Sequence, residues 1–210
     1  MEHIVKGFAI GFAVAAPVGP VGLLCIRRSI LDGRLVGFIT GLGAATADAL
    51  FGLIAALGLT TVTAFLNRHE IGFQFAGGLC LLVIGVATMR SRPPSRENGP
   101  VHAPNHLPAA YASAVAITLT NPMTIAGFIG IFTGFGVGLG TTGTAQVSWL
   151  VLGVFLGSAL WWLLLSGCAE WFGKKIPDGG LHAINLGAGL AIAFFGVWQL
   201  AALGRHYLAS

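Results

Sequence analysis

Six long apolar runs, separated by short charged or proline-rich segments, leave this chain few folds to choose from. About 20 apolar residues match the thickness of a bilayer's hydrocarbon core. Inside that core backbone polar groups must be satisfied by the segment itself, which favours helices. The runs extend from about Val5 to Ile26, Leu35 to Leu57, Ile71 to Met89, Ala109 to Val137, Val147 to Cys168 and Leu181 to Leu203. Only 9% of the 210 residues are charged, against roughly a quarter in a soluble domain, and so few charges cannot coat a globule. The expected fold is an all-α polytopic membrane protein of about six transmembrane helices, with residues 1–210 forming a single membrane domain.

The charges that remain mark the ends of the runs. The formal charge of +4 comes mostly from arginines and lysines flanking the spans, so it reads as topology information and not as a nucleic-acid footprint. Arg27, Arg28, Arg34, Arg90, Arg92, Arg96, Lys174 and Lys175 follow spans one, three and five, whereas Lys6, Arg68 and Arg205 lie on the other side. Positively charged loops stay in the cytoplasm, which predicts both termini outside it. Met1 to Lys6 followed by Ala13-Val14-Ala15 imitates a cleaved signal peptide. The apolar run nevertheless continues to Ile26 and stops at Arg27-Arg28, as a retained first span does. A polar turn is expected from Arg27 to Arg34.

The stretch 90–108 holds five of the nine prolines and three arginines, a composition that reads as an aqueous, cytoplasmic linker. It divides the chain into residues 1–89 and 109–210, each with three spans. Gly78-Leu79 and Gly85-Val86 recur at a constant offset as Gly189-Leu190 and Gly196-Val197. Each half also opens with a proline-interrupted span, Pro17 to Pro20 in the first and Asn121-Pro122 in the second. Because three is odd, the second copy must enter the membrane upside down, and the expected architecture is a pair of inverted three-helix repeats. Small-x-x-x-small pairs such as Gly37 with Gly41 and Gly153 with Gly157 allow close helix packing. That packing serves contacts within a chain or between chains equally, so a homo-oligomer stays open.

Asp48 is the only ionisable side chain deep inside a span, roughly 20 Å along the second helix from its cytoplasmic end. A carboxylate in hydrocarbon is costly and usually faces a cavity on an ion or proton path. The competing structural reading is a protonated acid bonded to Thr46 or to opened backbone. Pro17, Gly19 and Pro20 fall close to the bilayer midplane, where each proline deletes an amide donor and leaves carbonyls for water, a cation or a substrate ammonium group. Asn121 and Pro122 would do the same from the other half, with an amide that both donates and accepts. The bland alternative is a pair of packing kinks satisfied by Thr118 and Thr120. The candidate substrate- or ion-binding set is Pro17, Gly19, Pro20, Thr46, Asp48, Asn121 and Pro122.

Other residues carry less. The histidines all fall at span ends or in loops, so no buried metal cage is expected. Cys25, Cys80 and Cys168 lack redox or zinc spacing. No catalytic signature appears, and neither an enzyme nor a resident cofactor is expected. Trp149, Trp171 and Tyr207 suit the aromatic belts, while Trp161 and Trp162 either pack in the core or line a cavity. Glu170 and Lys174 read as a helix-end ion pair.

With these residues in hand, the chain resembles the LysE/RhtB family of bacterial amino-acid exporters over nearly its full length. The match rests on Pro17, Gly19 and Pro20 followed by Arg27-Arg28 and Gly33-Arg34, on Asp48 after Gly41 and Gly43, on the dividing loop, and on Asn121-Pro122. Val21-Gly22 stands where that family usually places asparagine or glutamine, and Met123 where it often has lysine, so no particular cargo is carried over. The resemblance implies a multi-pass protein of the bacterial inner membrane, exporting amino acids or related small solutes under the proton gradient. Its partners would be the cargo, a proton or other coupling ion, and the bilayer, with no nucleic acid. Two other readings compete: export of a metal or other inorganic ion on the same architecture, and a thiol-disulfide carrier. The latter needs facing cysteines that Cys25 and Cys168 do not supply at matched places.

Overall fold

The computed structural model describes residues 2–17, 19–57, 68–90, 107–121, 124, 128 and 143–208. Among these, regular structure is entirely helical: α1 (Glu2–Ala15), α2 (Pro20–Leu31), α3 (Arg34–Ala56), α4 (Glu70–Arg90), α5 (Leu107–Leu119), α6 (Thr144–Gly173) and α7 (Asp178–Leu208). Four of them, α3, α4, α6 and α7, are long and apolar enough to cross a membrane. The first apolar run is divided: α1 and α2 meet at 82°, so the run from Val5 to Ile26 is not one continuous helix but a broken span or a re-entrant loop. The fourth run yields α5, a 13-residue apolar helix of about 20 Å, which stops just before Asn121. Pro122 and most of the residues beyond it lie outside the described residues, as does the linker from 91 to 106.

Arg27 and Arg28 correct the expected turn. They belong to α2, which continues to Leu31, and α3 begins at Arg34. The chain reverses in Asp32 and Gly33 alone because Gly33 takes φ 97°, a left-handed value that L side chains resist. Arginine is a good helix former, and both guanidinium groups find hydrogen-bond acceptors against neighbouring helices, so nothing obliges the helix to end at the first charge.

Glycines set how closely the helices approach. α1 lies along α6, where a Cβ on Gly7, Gly11, Gly153 or Gly157 would run into the facing backbone carbonyl of Leu150, Val154, Ile4 or Phe8. α4 lies antiparallel along α7, and here the four glycines that recur in the sequence meet crosswise. A Cβ on Gly85 would stand 2.8 Å from the Gly189 carbonyl and one on Gly189 2.9 Å from the Gly85 carbonyl. Gly196 faces the Gly78 carbonyl at 2.8 Å in the same sense. α3 packs between α6 and α5, and α2 touches α3, α6 and α7.

One cluster joins the elements at the centre: Ala15 and Val21 on either side of the first break, Ala44 and Ala45 of α3, Ile117 of α5, and Trp162 of α6. Large apolar side chains such as Val5, Phe75, Val83, Phe194 and Trp198 point outward, the arrangement expected where acyl chains are the solvent. Trp171 is exposed at the end of α6 with Lys175 Nζ 3.5 Å from its ring centroid, and Glu170 pairs with Lys174 at 3.5 Å, as the spacing predicts. All three cysteines are free thiols.

Candidate functional site

The face of α3 that meets α5 and α6 is built from small residues, Gly41, Gly43, Ala44, Ala45 and Ala47, before it reaches Asp48. Gly41 matters most, because a Cβ there would collide with the Trp162 side chain; its absence lets the indole pack directly against α3. Asp48 is buried at 3% exposure and turns toward α6. Ser158 Oγ donates to Asp48 Oδ2 at 2.7 Å, and Trp162 Nε1 donates to Ser158 Oγ at 3.1 Å. An indole nitrogen can only donate. Its bond therefore occupies an acceptor lone pair of Ser158 and leaves the serine proton for the carboxylate. Ser158 and Trp162 lie one turn apart on α6, which places both on the face toward Asp48.

Thr46 is elsewhere. Its side chain is exposed, donates to the Leu42 carbonyl at 2.9 Å, and accepts from the Tyr111 hydroxyl at 2.8 Å, tying α3 to α5. Two residues along a helix turn a side chain away from its neighbour's face, so Thr46 and Asp48 cannot share a site by helix geometry alone.

The first break is a helix end followed by a helix start. Ala16 N–H donates to the Phe12 carbonyl to finish α1. Pro17 and Pro20 have no N–H, so the carbonyls of Ala13 and Ala16 lose the donors that a continuous helix would supply four residues on. Gly19 caps α2 with extended backbone, φ −100° and ψ −160°, and Pro20 takes the first helical position, where a proline costs no hydrogen bond. Pro20 is buried and Pro17 exposed, while a Cβ on Gly19 would meet nothing within 4 Å among the described residues.

The second break begins at Asn121, which follows the last turn of α5 and is partly buried. Its N–H donates to the Thr118 carbonyl at 3.3 Å, and its carbonyl accepts from Thr124 at 3.1 Å. Thr120 Oγ1 bonds back to the Ala116 carbonyl at 2.7 Å, as a threonine soothing a helix end would. Thr118 Oγ1, by contrast, is buried with no hydrogen-bond partner among the described residues, and the same holds for Trp161 Nε1, whose ring packs edge-on against Phe12 at 5.4 Å. Buried polar atoms without partners are rare and call for a cause, a site for a polar guest among them.

Sequence reasoning missed several polar groups around this centre. Ser158 is hidden in an apolar run that shows nothing to mark it. Asn185 and Gln199, the amides of the sixth run, were visible but unplaced. In the structure Asn185 Nδ2 donates to the Thr88 carbonyl at 2.7 Å and its Oδ1 accepts from Arg27 Nε, joining α7 to α4 and α2. At the other end of the same helix pair Gln199 Nε2 donates to the Gln74 carbonyl at 2.8 Å and approaches the Thr120 carbonyl at 3.4 Å, beside the second break.

Residues 12–202 match the LysE type translocator family. Among relatives, the chain is 29% identical over 207 residues to "Putative amino acid efflux protein YcgF" of Bacillus subtilis (strain 168), covering 94% of this chain and 95% of that one. It is 28% identical over 204 residues to "Uncharacterized membrane protein PA4757" of Pseudomonas aeruginosa, covering 87% and 90%. "Uncharacterized membrane protein YahN" of Escherichia coli (strain K12) is 29% identical over 144 residues, covering 67% and 63%. No solved structure matches.

Proposed function

The chain belongs to the LysE type translocator family, a family of transporters, and we propose that it exports amino acids or closely related small solutes from the bacterial cytoplasm in exchange for protons. The observation that carries this reading is the buried carboxylate of Asp48, held by Ser158 on a small-residue face of α3 that shares its core with both interrupted spans. A buried acid that neither pairs with a cation nor faces lipid is the group a proton-coupled carrier needs. At the first interruption Pro17 and Pro20 withhold the helical donors of the Ala13 and Ala16 carbonyls, which can then receive an ammonium group, and the relative's printed name gives amino acid efflux as the cargo class.

The reading includes two inverted repeats. Under the register that carries Gly78 to Gly189 and Gly85 to Gly196, Gln74 corresponds to Asn185 and Thr88 to Gln199. The Asn185–Thr88 contact then falls on the residue pair Gln74–Gln199, with the donor on the other member: Asn185 Nδ2 donates to the Thr88 carbonyl, whereas in the second pair Gln199 Nε2 donates to the Gln74 carbonyl. It also includes an inner-membrane location with both termini outside the cytoplasm, by the distribution of Arg27, Arg28, Arg34, Arg90, Lys174 and Lys175.

The test is proton-coupled efflux from proteoliposomes. Asp48→Asn keeps the shape of the side chain and an oxygen for Ser158, so the protein inserts and folds while coupled efflux disappears. Full-rate efflux by that variant under an imposed pH gradient would sink the mechanism.

A further inference from the structure

Arg28 is partly buried among helices, and among the described residues no carboxylate lies within ion-pair distance of it. Asp32, the carboxylate next in sequence, sits 3.7 Å from Arg27. Among the described residues Arg28 meets only neutral oxygens: the Thr40 hydroxyl at 3.0 Å, the Ala110 carbonyl at 3.1 Å and the Ser113 hydroxyl at 3.0 Å. All three are reached by Nη1. The Nε and Nη2 donors, which form the edge that a carboxylate grips side-on with two parallel bonds, have no partner among the described residues.

The position of this edge is informative. Thr40 and Asp48 are both buried on α3 and eight residues apart, so they stand on one face, separated by about 12 Å. A cation of α2 held at Thr40 and the buried acid at Asp48 thus lie two turns apart along α3, the cation toward its cytoplasmic end. An α-amino acid carries its opposite charges too close together to touch both at once, so the two groups act in succession. We infer that the free edge of Arg28 receives the carboxylate of the departing solute on the cytoplasmic side, before its ammonium group reaches the breaks near Asp48. This rests on the export reading above and makes a free carboxylate a requirement of the cargo.

Proteoliposomes bearing the full chain and loaded with an equimolar mixture of the twenty proteinogenic amino acids identify the one that leaves fastest. Its efflux is then inhibited from the loaded side by the same amino acid and by its primary amide, which lacks the carboxylate. Wild-type protein prefers the acid by roughly 10- to 100-fold, the range for a lost charge-assisted pair. Arg28→Gln brings that ratio close to one with inhibition by the amide little changed, and Arg28→Lys retains part of it. A wild-type ratio near one, or a ratio preserved in Arg28→Gln, overturns the carboxylate site while leaving export standing. If Arg28→Gln does not fold, the wild-type ratio and Arg28→Lys decide. A variant that responds to anionic-lipid content with its ratio intact assigns the edge to a headgroup phosphate and also overturns it. Failure of every amino acid to leave wild-type vesicles defeats the export reading and this site together.

Discussion

Replacing Ser158 by alanine removes one hydroxyl from a place where its proton has a single destination. The bond to Asp48 is 2.7 Å long, in the range of hydroxyl-to-carboxylate pairs, and the acid is 3% exposed, so water cannot replace the lost donor. A hydrogen bond to a charged group contributes about 1.5–3 kcal/mol and one between neutral groups about 1 kcal/mol. For an ionised Asp48, Ser158→Ala should therefore destabilise by about 1.5–3 kcal/mol, a fall of roughly 2–4 °C in Tm per kcal/mol for a chain of this size. Thermal unfolding of the purified protein measures it, with Asp48→Asn and the double variant completing a cycle. The pair should show a coupling of about 1 kcal/mol or more, since touching residues do not add. Trp162→Phe, which deletes the outer donor and part of a buried ring, should cost about 1 kcal/mol for the hydrogen bond plus a cavity contribution. If Ser158→Ala and Asp48→Asn prove additive within about 0.5 kcal/mol, the serine does not hold the acid and the site has been drawn wrongly.

Gly85→Ala tests the α4–α7 contact: its Cβ would lie 2.6 Å from the Ala193 nitrogen and 2.8 Å from the Gly189 carbonyl, where ordinary contact begins at 3.4 Å. The helices must part, which should lower stability by about 1–3 kcal/mol, whereas Gly72→Ala on the same helix, with nothing within 4 Å among the described residues, should leave thermal unfolding unchanged or slightly raised. Asn185→Leu removes the amide that joins α7 to Thr88 and Arg27. Hydrogen exchange should then quicken roughly 10-fold or more in residues 20–31 and 181–189 without a change around Gln74; equal quickening at both ends would show that the tie is not local.

The helical architecture could be read from the sequence because lipid permits so little else: apolar length identifies spans, and proline and glycine identify where a span stops. Asp48 stood out for the same reason, as a charge where charges are expensive. Its partner did not, because serine is common inside apolar helices and only the third dimension shows that Ser158 faces α3. Thr46 was grouped with Asp48 by nearness in sequence, yet helical geometry turns it to Tyr111. The arginines were placed in a turn because charge was equated with water. A guanidinium group surrounded by acceptors can remain in a helix, and Arg28 does so with Thr40, Ala110 and Ser113.

The repeat illustrates how the two kinds of evidence depend on each other. Four glycines at a constant offset are weak in a chain with 32 of them. Their crosswise meeting follows from the antiparallel packing of α4 on α7, in which contacting residue numbers keep a constant sum, so it accords with a repeat and is equally what any two antiparallel helices with this glycine spacing would show. Gly85 meets Gly189 and Gly78 meets Gly196 in this way, and two side-chain amides of α7, Asn185 and Gln199, tie the same helix pair toward its two ends. On the inverted-repeat reading the α4–α7 pair is the fixed part, tied at one end to α2 through Arg27 and at the other to the end of α5 through the Thr120 carbonyl. Each broken span is then held from an opposite face of the membrane, so releasing one tie need not release the other, which is the independence that alternating access demands.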